Sequence, residues 1–341
     1  MLKFFSTVFK LTTAVVITLA VTVPASSADK PNLTIYTYDS FAADWGPAPK
    51  IKESFEKNCN CTLTFVAADS SIGALRKVQL EGPDTKADVV LGLDTNIAEA
   101  ARATGLFAEH GVVTTNLDLP EKWSDKVFLP FDYSYFAFVY DTNIVKNPPT
   151  SFAELAAMPD DFKIVIQDPR SSTPGLGLVL WVREIFGDKA PEYWKSLAPK
   201  ILTVTKGWSD AYGLFLKNEA DMVLSYTTSP AYHLIADGKS NYASARFNDG
   251  HYMQIEVAGI LRSTKQQELA GKFMQFMLSD AFQDLIPTTN WAYTVTKTKK
   301  GLPKGFETLH VPEKSLLFDG QLVEKNRKAY ISEWLDAIGK Q

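Results

Sequence analysis

The sequence predicts an α/β fold built as two lobes that are joined by a hinge. Short apolar segments alternate with segments of helical periodicity along most of the chain, which is typical of α/β proteins with a mainly parallel sheet. Two apolar runs, at 135–143 and 251–261, lead from one alternating unit to the other and back. The 341 residues also leave 313 after the first 28, which is large for a single core.

The first unit consists of three predicted strands that are each followed by a predicted helix. The strands are rich in β-branched and aromatic residues, and the helices place apolar residues at helical spacing. The strands are predicted at 33–39, 63–68 and 87–94, and the helices at 49–58, 71–82 and 96–105.

A second unit contributes three further strands and is followed by the strand that returns at 251–261 and by two helices. The strands are predicted at 162–169, 202–207 and 220–226, and the helices at 266–286 and about 315–338.

The two strands that cross between the units, at 135–143 and 251–261, determine the boundaries of the predicted lobes. We expect the first lobe to contain 29–138 and about 257–310, and the second lobe to contain 139–256. The C-terminal segment 311–341 is expected to pack across the second lobe as a helix.

The N-terminal segment has the pattern of a secretory signal. Two lysines precede an apolar run at 11–23, and the small residues Ser26 and Ala28 follow it. We therefore predict a signal peptide over 1–28 that is cleaved on export to the periplasm. A retained membrane anchor is the alternative.

The charge of the exported chain argues against two classes of partner. Two of the 35 basic residues lie in the first 28, so 33 remain against 39 acidic ones, a net charge of −6. No basic cluster stands out, and we expect no binding to nucleic acid or to an anionic membrane.

Cys59 and Cys61 are the only cysteines. Export permits a disulfide between them, but a bridge across one residue closes a tight ring, so the sequence leaves their pairing open. Metal binding would need more ligands than these two thiols supply, and we expect no metal site there.

Serine and threonine residues recur where predicted strands end and helices begin. Such residues cap helices, and most such helix starts do only that. In an open α/β sheet, however, helix starts point amides into the crevice beyond the strand ends, where an anion such as phosphate can bind. The candidate caps are Thr173, Ser229, Ser209, Ser70 or Ser71, and Thr95 or Asn96.

The same segments carry many aromatic residues. Each could simply pack in the core, but Trp208 and Trp291 lie in polar segments without apolar periodicity. Aromatic faces bind cations and stack on flat rings, and nearby acids favour a positive ligand. The aromatic candidates are Tyr38, Trp45, Trp208, Tyr212, Tyr226, Tyr232, Trp291 and Tyr293, and the acidic ones are Asp39, Asp44 and Asp94.

Seven segments, in order along nearly the whole exported chain, resemble the thiamine-binding periplasmic proteins of bacterial thiamine ABC importers. The resemblance implies a two-lobed type II periplasmic substrate-binding fold with hinge crossovers and a ligand cleft between the lobes. It implies a monomer without cofactor that binds thiamine, thiamine monophosphate or thiamine diphosphate and delivers it to a permease and ATPase in the inner membrane. The segments are YTYDSFAADWGP, KADVVLGLDTN, PFDYSYFAFVYD, QDPRSSTPGLGL, TVTKGW, LSYTTSPAYH and IPTTNWAY.

The resemblance also implies ligand contacts from three groups of side chains. The hydroxyl group comprises Ser172, Thr173, Thr227, Thr228 and Ser229, and the aromatic group comprises Tyr38, Trp208, Tyr226, Tyr232 and Trp291. The third group is Ser70 and Ser71, where this sequence departs from the acidic residue and glycine of the family. That difference removes a negative charge and leaves two hydroxyls beside a helix start.

Two other functions stay open beside this one. A thiamine-cleaving enzyme with this fold attacks through a cysteine, but Cys59 and Cys61 lie away from the predicted cleft, and we expect no catalysis. A polyamine or ferric ion could also bind on such a scaffold, with Tyr133 and Tyr135 as an iron-binding pair. The four histidines are scattered and form no metal-ligand spacing.

Overall fold

The computed structural model describes residues 1–3 and 30–339, and the chain from Pro31 onward forms one compact unit. Apart from its first three residues, the predicted signal peptide at 1–28 lies outside the described residues. In the described part of the chain, no helix combines the length and the apolar character needed to cross a bilayer.

Strands and helices alternate within residues 30–339 as an α/β fold requires. The strands are β1 Asn32–Tyr38, β2 Thr62–Ala68, β3 Val89–Asp94, β4 Phe107–Ala108, β5 Phe128–Asp141, β6 Ile164–Gln167, β7 Ile201–Thr205, β8 Met222–Tyr226, β9 Tyr242–Ser244, β10 His251–Leu261, β11 Tyr293–Thr294 and β12 Ser315–Leu316. The helices are α1 Asp39–Ala42, α2 Ala48–Cys59, α3 Ser71–Glu81, α4 Thr95–Ala103, α5 Phe152–Ala156, α6 Thr173–Phe186, α7 Ala190–Leu197, α8 Trp208–Leu216, α9 Ser229–Ala236, α10 Gln267–Met277, α11 Asp280–Gln283, α12 Ile286–Thr289 and α13 Gly320–Ile338.

The sheet consists of two parallel groups of strands that two long antiparallel strands connect. Its order is β2-β1-β3-β10-β5-β8-β6-β7. Strand β1 pairs in parallel with β2 and β3, and β6 pairs in parallel with β7 and β8. Strands β10 and β5 run antiparallel to their neighbours in between, so the sheet is mixed.

Strand β5 belongs to both groups of strands. Its first part, through Tyr135, pairs with β10, and its second part, from Phe136, pairs with β8. A single strand shared in this way can join two lobes, as the crossing predicted near 135–143 requires. The lobe boundaries at 138 and 257 remain predictions.

Helix α13 packs against α4, α6 and α7. The packing of the C-terminal segment 311–341 across the second lobe stays a prediction. The helix begins later than predicted. Asp319 caps it by accepting hydrogen bonds from the amides of Gln321 and Leu322, each at 3.0 Å. The predicted start at 315 is therefore wrong, because Ser315 and Leu316 pair with β10 as a short strand instead.

The predicted helix at 266–286 is interrupted. Helix α10 ends at Met277, and the extended backbone of Ser279 begins the four-residue helix α11. Continuous apolar periodicity hid this break, because Leu278 and Phe282 are buried on the same side as the residues of α10.

Cys59 and Cys61 form a disulfide at the C-terminal end of α2. We predict that replacing both by serine lowers the free energy of unfolding by only about 1.5 kcal/mol, because a loop of three residues loses little entropy when it is closed. Urea denaturation of this variant and of the wild-type protein with its disulfide intact would measure the difference. A loss of several kcal/mol would show that the bridge does more than constrain the unfolded chain.

Candidate ligand-binding cleft

A cavity of about 570 Å³ lies where the ends of strands and the starts of helices meet. This volume is within the range of sites for small organic ligands. The N-terminal ends of α3, α6, α8 and α9 contribute to its wall, together with the C-terminal end of β1 and the segment around α12. The middle of β5 and β10 completes it, so residues from both groups of strands face the same space.

Ten of the twelve ligand-contact residues predicted from the sequence line this cavity. They are Tyr38, Ser70, Ser71, Ser172, Thr173, Trp208, Tyr226, Ser229, Tyr232 and Trp291. Thr227 and Thr228 are not among the lining residues and are fully buried. The amide of Thr227 donates to the carbonyl of Tyr135 (2.9 Å), and Thr228 precedes α9 as its cap residue.

One predicted helix cap is confirmed, and the other four differ from the observed caps by one or two residues. The hydroxyl of Ser70 accepts a hydrogen bond from the amide of Gly73 (3.0 Å), as predicted for α3. The other predictions are wrong, because a residue nearer the strand end takes the cap position each time. The observed caps are Ser172 rather than Thr173, Gly207 rather than Ser209, Thr228 rather than Ser229, and Asp94 rather than Thr95 or Asn96.

Trp208 is held by a stack and by a hydrogen bond. Its ring lies on that of Tyr212, with centroids 4.7 Å apart and planes 23° apart. Its indole Nε1 donates to the hydroxyl of Ser225 (2.8 Å), and the hydroxyl of Tyr212 pairs with Nε2 of His233 (2.8 Å). These contacts fix the indole at the start of α8 while it remains half-exposed in the cavity wall.

Trp291 and Tyr232 meet in the cavity wall. Their ring centroids are 5.3 Å apart with an interplanar angle of 72°, the edge-to-face arrangement that aromatic pairs favour. Trp291 has φ of 56°, a left-handed conformation that is uncommon for a bulky residue. It is the second residue after α12, and its side chain lines the cavity.

Tyr38 and Tyr226 are set by their neighbours in the sheet. A Cβ at Gly92, where φ is 93°, would lie 2.3 Å from Cε1 of Tyr38. The phenol ring of Tyr38 therefore fits in this position only because residue 92 has no side chain. Tyr226 stacks on Phe136 with centroids 5.3 Å apart. Both tyrosines line the cavity.

Several cavity residues were missed by the sequence analysis. Asp132 and Ser134 lie within β5, and Gln254 and Glu256 lie within β10, where mostly apolar strands predicted burial alone. Asn290 was also missed. The signal that could have found two of them is a carboxyl in the middle of an apolar strand, since such a group is costly to bury without a function.

The cavity is acidic. Asp39, Asp69, Asp132 and Glu256 line it, whereas its described lining contains no lysine, arginine or histidine. Burial raises the pKa of Asp39, and it raises the pKa of Asp132 and of Glu256, which also lie close to each other. This charge distribution favours a cationic ligand.

Asp94, predicted as a cleft acid, lies behind the wall. It is fully buried, and burial raises its pKa to about 6 against the opposing hydrogen bonds of Gln254 and Asn96. The side chain of Gln254 donates to Asp94 (2.9 Å) and to Thr173 (3.2 Å), which connects this acid to the start of α6.

Polar contacts cross the cavity between the first and second groups of strands. Lys206, beside α8, forms a salt bridge with Asp69, beside α3. The hydroxyl of Ser209 donates to Asp39 (3.0 Å), and Arg76 donates to the backbone carbonyl of Arg170 (3.0 Å). These contacts hold the helix starts of the two groups close together.

The family model for bacterial extracellular solute-binding proteins matches residues 34–284. The chain belongs to this family. Two members with similar sequences are the thiamine-binding periplasmic proteins of Escherichia coli K12 and of Brucella abortus. The first is 54% identical over 311 residues, covering 91% of this chain and 94% of the relative. The second is 50% identical over 317 residues, covering 93% and 95%.

Solved structures of solute-binding proteins confirm the predicted two-lobed α/β fold. A structure titled periplasmic thiamin binding protein superposes with a TM-score of 0.89 at 54% identity, covering 93% of this chain and 99% of that one. The periplasmic binding protein AfuA from Actinobacillus pleuropneumoniae superposes with a TM-score of 0.76 at 19% identity, covering 92% and 100%. This second likeness shows the fold alone. Together with the sequence identities, the first places the chain among the thiamine-binding periplasmic members of the solute-binding family.

Tyr133 and Tyr135, considered above as an iron-binding pair, do not line the cavity. Their rings contact each other edge to face, and Tyr133 stacks on Tyr293. Within the described residues, no group of three or more histidine, cysteine or acidic side chains is arranged to hold a metal ion.

Proposed function

We propose that this solute-binding protein captures thiamine and its phosphate esters in the periplasm and delivers them to an ABC importer. The observation that carries the proposal is the cleft itself, in which aromatic faces and carboxyl side chains line a cavity without a basic side chain in its described lining. The names of the relatives that are about half identical to this chain support the same ligand.

Thiamine matches the cleft in shape and in charge. It has a flat aminopyrimidine ring and a positively charged thiazolium ring, and both can lie against the faces of tyrosine or tryptophan. Trp208, Tyr226, Tyr232 and Trp291 present such faces, and a cation above a desolvated ring gains about 2 kcal/mol. The cavity acids add attraction for the positive ring.

The phosphate esters need a second type of contact, which the helix starts supply. Backbone amides at the start of a helix are free to donate, and the helix dipole favours an anion there. The starts of α3, α6, α8 and α9 face the cavity with Ser70, Ser172, Gly207 and Ser229. An ester bound through these groups would need no lysine or arginine.

Capture follows from movement of the two lobes about β5 and β10. Closure removes water from the rings and brings together the contacts between Lys206 and Asp69 and between Ser209 and Asp39. The ligand shifts the protein towards the closed form by its greater affinity for that form. A permease that contacts both lobes would recognise the closed protein.

Calorimetric titration tests the ligand. We expect saturable binding of one thiamine per chain, binding of the monophosphate and diphosphate as well, and no comparable binding of putrescine, spermidine or ferric ion. Preferential binding of a polyamine would support the alternative function, in which the acidic cleft binds an organic cation other than thiamine. Absence of thiamine binding would overturn the proposal.

We infer that the protein is a carrier and not an enzyme. The described chain has no free cysteine, and neither Cys59 nor Cys61 lines the cavity, so the nucleophile of a thiamine-cleaving enzyme has no counterpart there. Incubation with thiamine and a nucleophilic co-substrate should yield no free pyrimidine product. Detection of that product by chromatography would contradict this inference.

A further inference from the structure

Three acids lie side by side on neighbouring strands of the sheet. Glu256 of β10 is in register with Asp94 of β3 on one side and with Asp132 of β5 on the other. Directly opposed side chains on adjacent strands point to the same face of a sheet. Glu256 and Asp132 reach the cavity, and Asp94 is the buried acid behind it.

Neutral donors, and no cations, surround the two cavity acids. The hydroxyl of Tyr38 donates to Glu256 (2.9 Å), and the side-chain amide of Asn290 donates to Asp132 (2.6 Å) and to Glu256 (3.2 Å). The same nitrogen of Asn290 thus contacts both carboxyl groups, which lie next to each other on paired strands. Among the described residues that line the cavity, none is a lysine, an arginine or a histidine.

The remaining titratable groups that face the pair are acidic as well. Asp94 on β3 and the phenol of Tyr226 on β8 lie within reach of their charge, and so does the phenol of Tyr38 on β1. Burial raises the pKa of Tyr226, and the charges of the three acids raise it further. Two or three negative charges cannot share so dry a site without a compensating positive charge.

We propose that Asp132 and Glu256 share one proton in the empty cleft and release it to solvent when a cationic ligand enters the cavity. The shared proton bridges the two carboxyl groups and leaves the pair with a single negative charge. A ligand cation supplies the missing positive charge, so the second carboxyl ionises and the proton passes to the buffer. This inference rests on the proposed function, since it takes thiamine as the cation.

The exchange makes capture depend on pH with a defined sign. Burial and mutual repulsion raise the pKa of the pair above the ordinary range of carboxyl groups, about 4. Below that raised pKa, binding must displace a proton, so the affinity for a cation rises with pH by at most about tenfold per pH unit. Above it the pair is already ionised, and the affinity becomes independent of pH.

Calorimetry in two buffers with different enthalpies of ionisation counts the protons released with each thiamine bound. At the lower end of the pH range, the wild-type protein should release up to about one proton more than Glu256→Gln, and Asp132→Asn should also lose this release. Asp161→Asn removes an exposed carboxyl that does not line the cavity and should release as many protons as the wild type. Because thiamine's own titration is common to all four proteins, only the differences between them report on the pair.

Stability of the empty protein gives a second readout that does not use a ligand. A carboxyl whose pKa is raised by folding holds its proton more tightly in the folded state. The contribution of the pair to the free energy of unfolding should therefore be fully present below about pH 4 and be lost as pH rises through the raised pKa. The free energy of unfolding of the wild type should then fall more, or rise less, over this pH range than that of Glu256→Gln. Urea titrations from pH 4 to pH 8 measure it.

The outcomes separate the two proposals. Tight thiamine binding with the same proton release in the wild type and in Glu256→Gln would overturn the shared proton and leave the proposed function standing. Equal pH dependence of unfolding in these two proteins would overturn it as well. No binding of thiamine by the wild type would overturn the proposed function, and with it the role of the pair in thiamine capture.

Discussion

Replacing Trp208 by alanine should weaken thiamine binding by at least about tenfold. The variant removes a ring that lies in the cavity wall on top of Tyr212, and a desolvated aromatic contact with a cation contributes about 2 kcal/mol, which corresponds to roughly 30-fold in affinity. Isothermal titration calorimetry with thiamine measures the change. Unchanged affinity in this variant would remove Trp208 from the ligand site.

Trp208→Phe provides the matched control. It keeps an aromatic face above Tyr212 but loses the hydrogen bond from the indole Nε1 to Ser225. We expect it to retain most of the affinity that alanine loses, because the stacking surface remains. An equal loss in both variants would assign the effect to the hydrogen bond and to the position of Ser225, and not to the ring. Circular dichroism of both variants would show whether the fold is intact.

Replacing Gly175 by alanine should lower the free energy of unfolding by about 3 kcal/mol and weaken ligand binding as well. A Cβ at this position would lie 2.4 Å from the carbonyl oxygen of Gln167 and 2.7 Å from the carbonyl carbon of Asp168. Backbone atoms cannot move aside as the end of a side chain can, so the start of α6 must shift away from β6. Ser172 and Thr173, which line the cavity at that helix start, would shift with it.

Gly271→Ala is the control for this glycine. Gly271 lies within α10, and nothing approaches within 4 Å of the position where its Cβ would be. Alanine there should raise the free energy of unfolding by about 0.5–1 kcal/mol, because it reduces the flexibility of a helical residue. Chemical denaturation of both variants, with thiamine titrations alongside, would test the pair. A stable Gly175→Ala protein with normal affinity would show that the close approach of Gly175 to the backbone at Gln167 does not determine the position of α6.

Much of the fold could be predicted because local patterns determine it. The strand at 251–261 was predicted with the bounds that β10 has, since apolar residues occupy most of its positions. The end of α3 before Gly82 follows from the same rules. The prediction of one helix over 266–286 was wrong because the apolar periodicity continues past Ser279. Periodicity cannot distinguish a bent pair of helices from one straight helix.

The aromatic and hydroxyl parts of the cleft were also accessible from the sequence. Tyr226 ends β8, and Ser229 and Tyr232 lie in the first half of the helix that follows. In an α/β fold such positions face the ligand crevice, and all three line the cavity. Thr227 and Thr228 lie in the same segment but are fully buried and do not line the cavity. The sequence cannot resolve this difference between adjacent residues.

Local patterns were enough to predict the α/β alternation, the crossings between two groups of strands, and the aromatic residues at the strand ends, because each depends on neighbours within a few positions of the chain. The pairing of Asp132 with Glu256 could be found only in the folded chain, since the antiparallel register of β5 and β10 joins residues more than a hundred positions apart. These two neighbouring, desolvated acids contribute to the acidic character of the cleft. The local sequence of either strand does not reveal that they are neighbours.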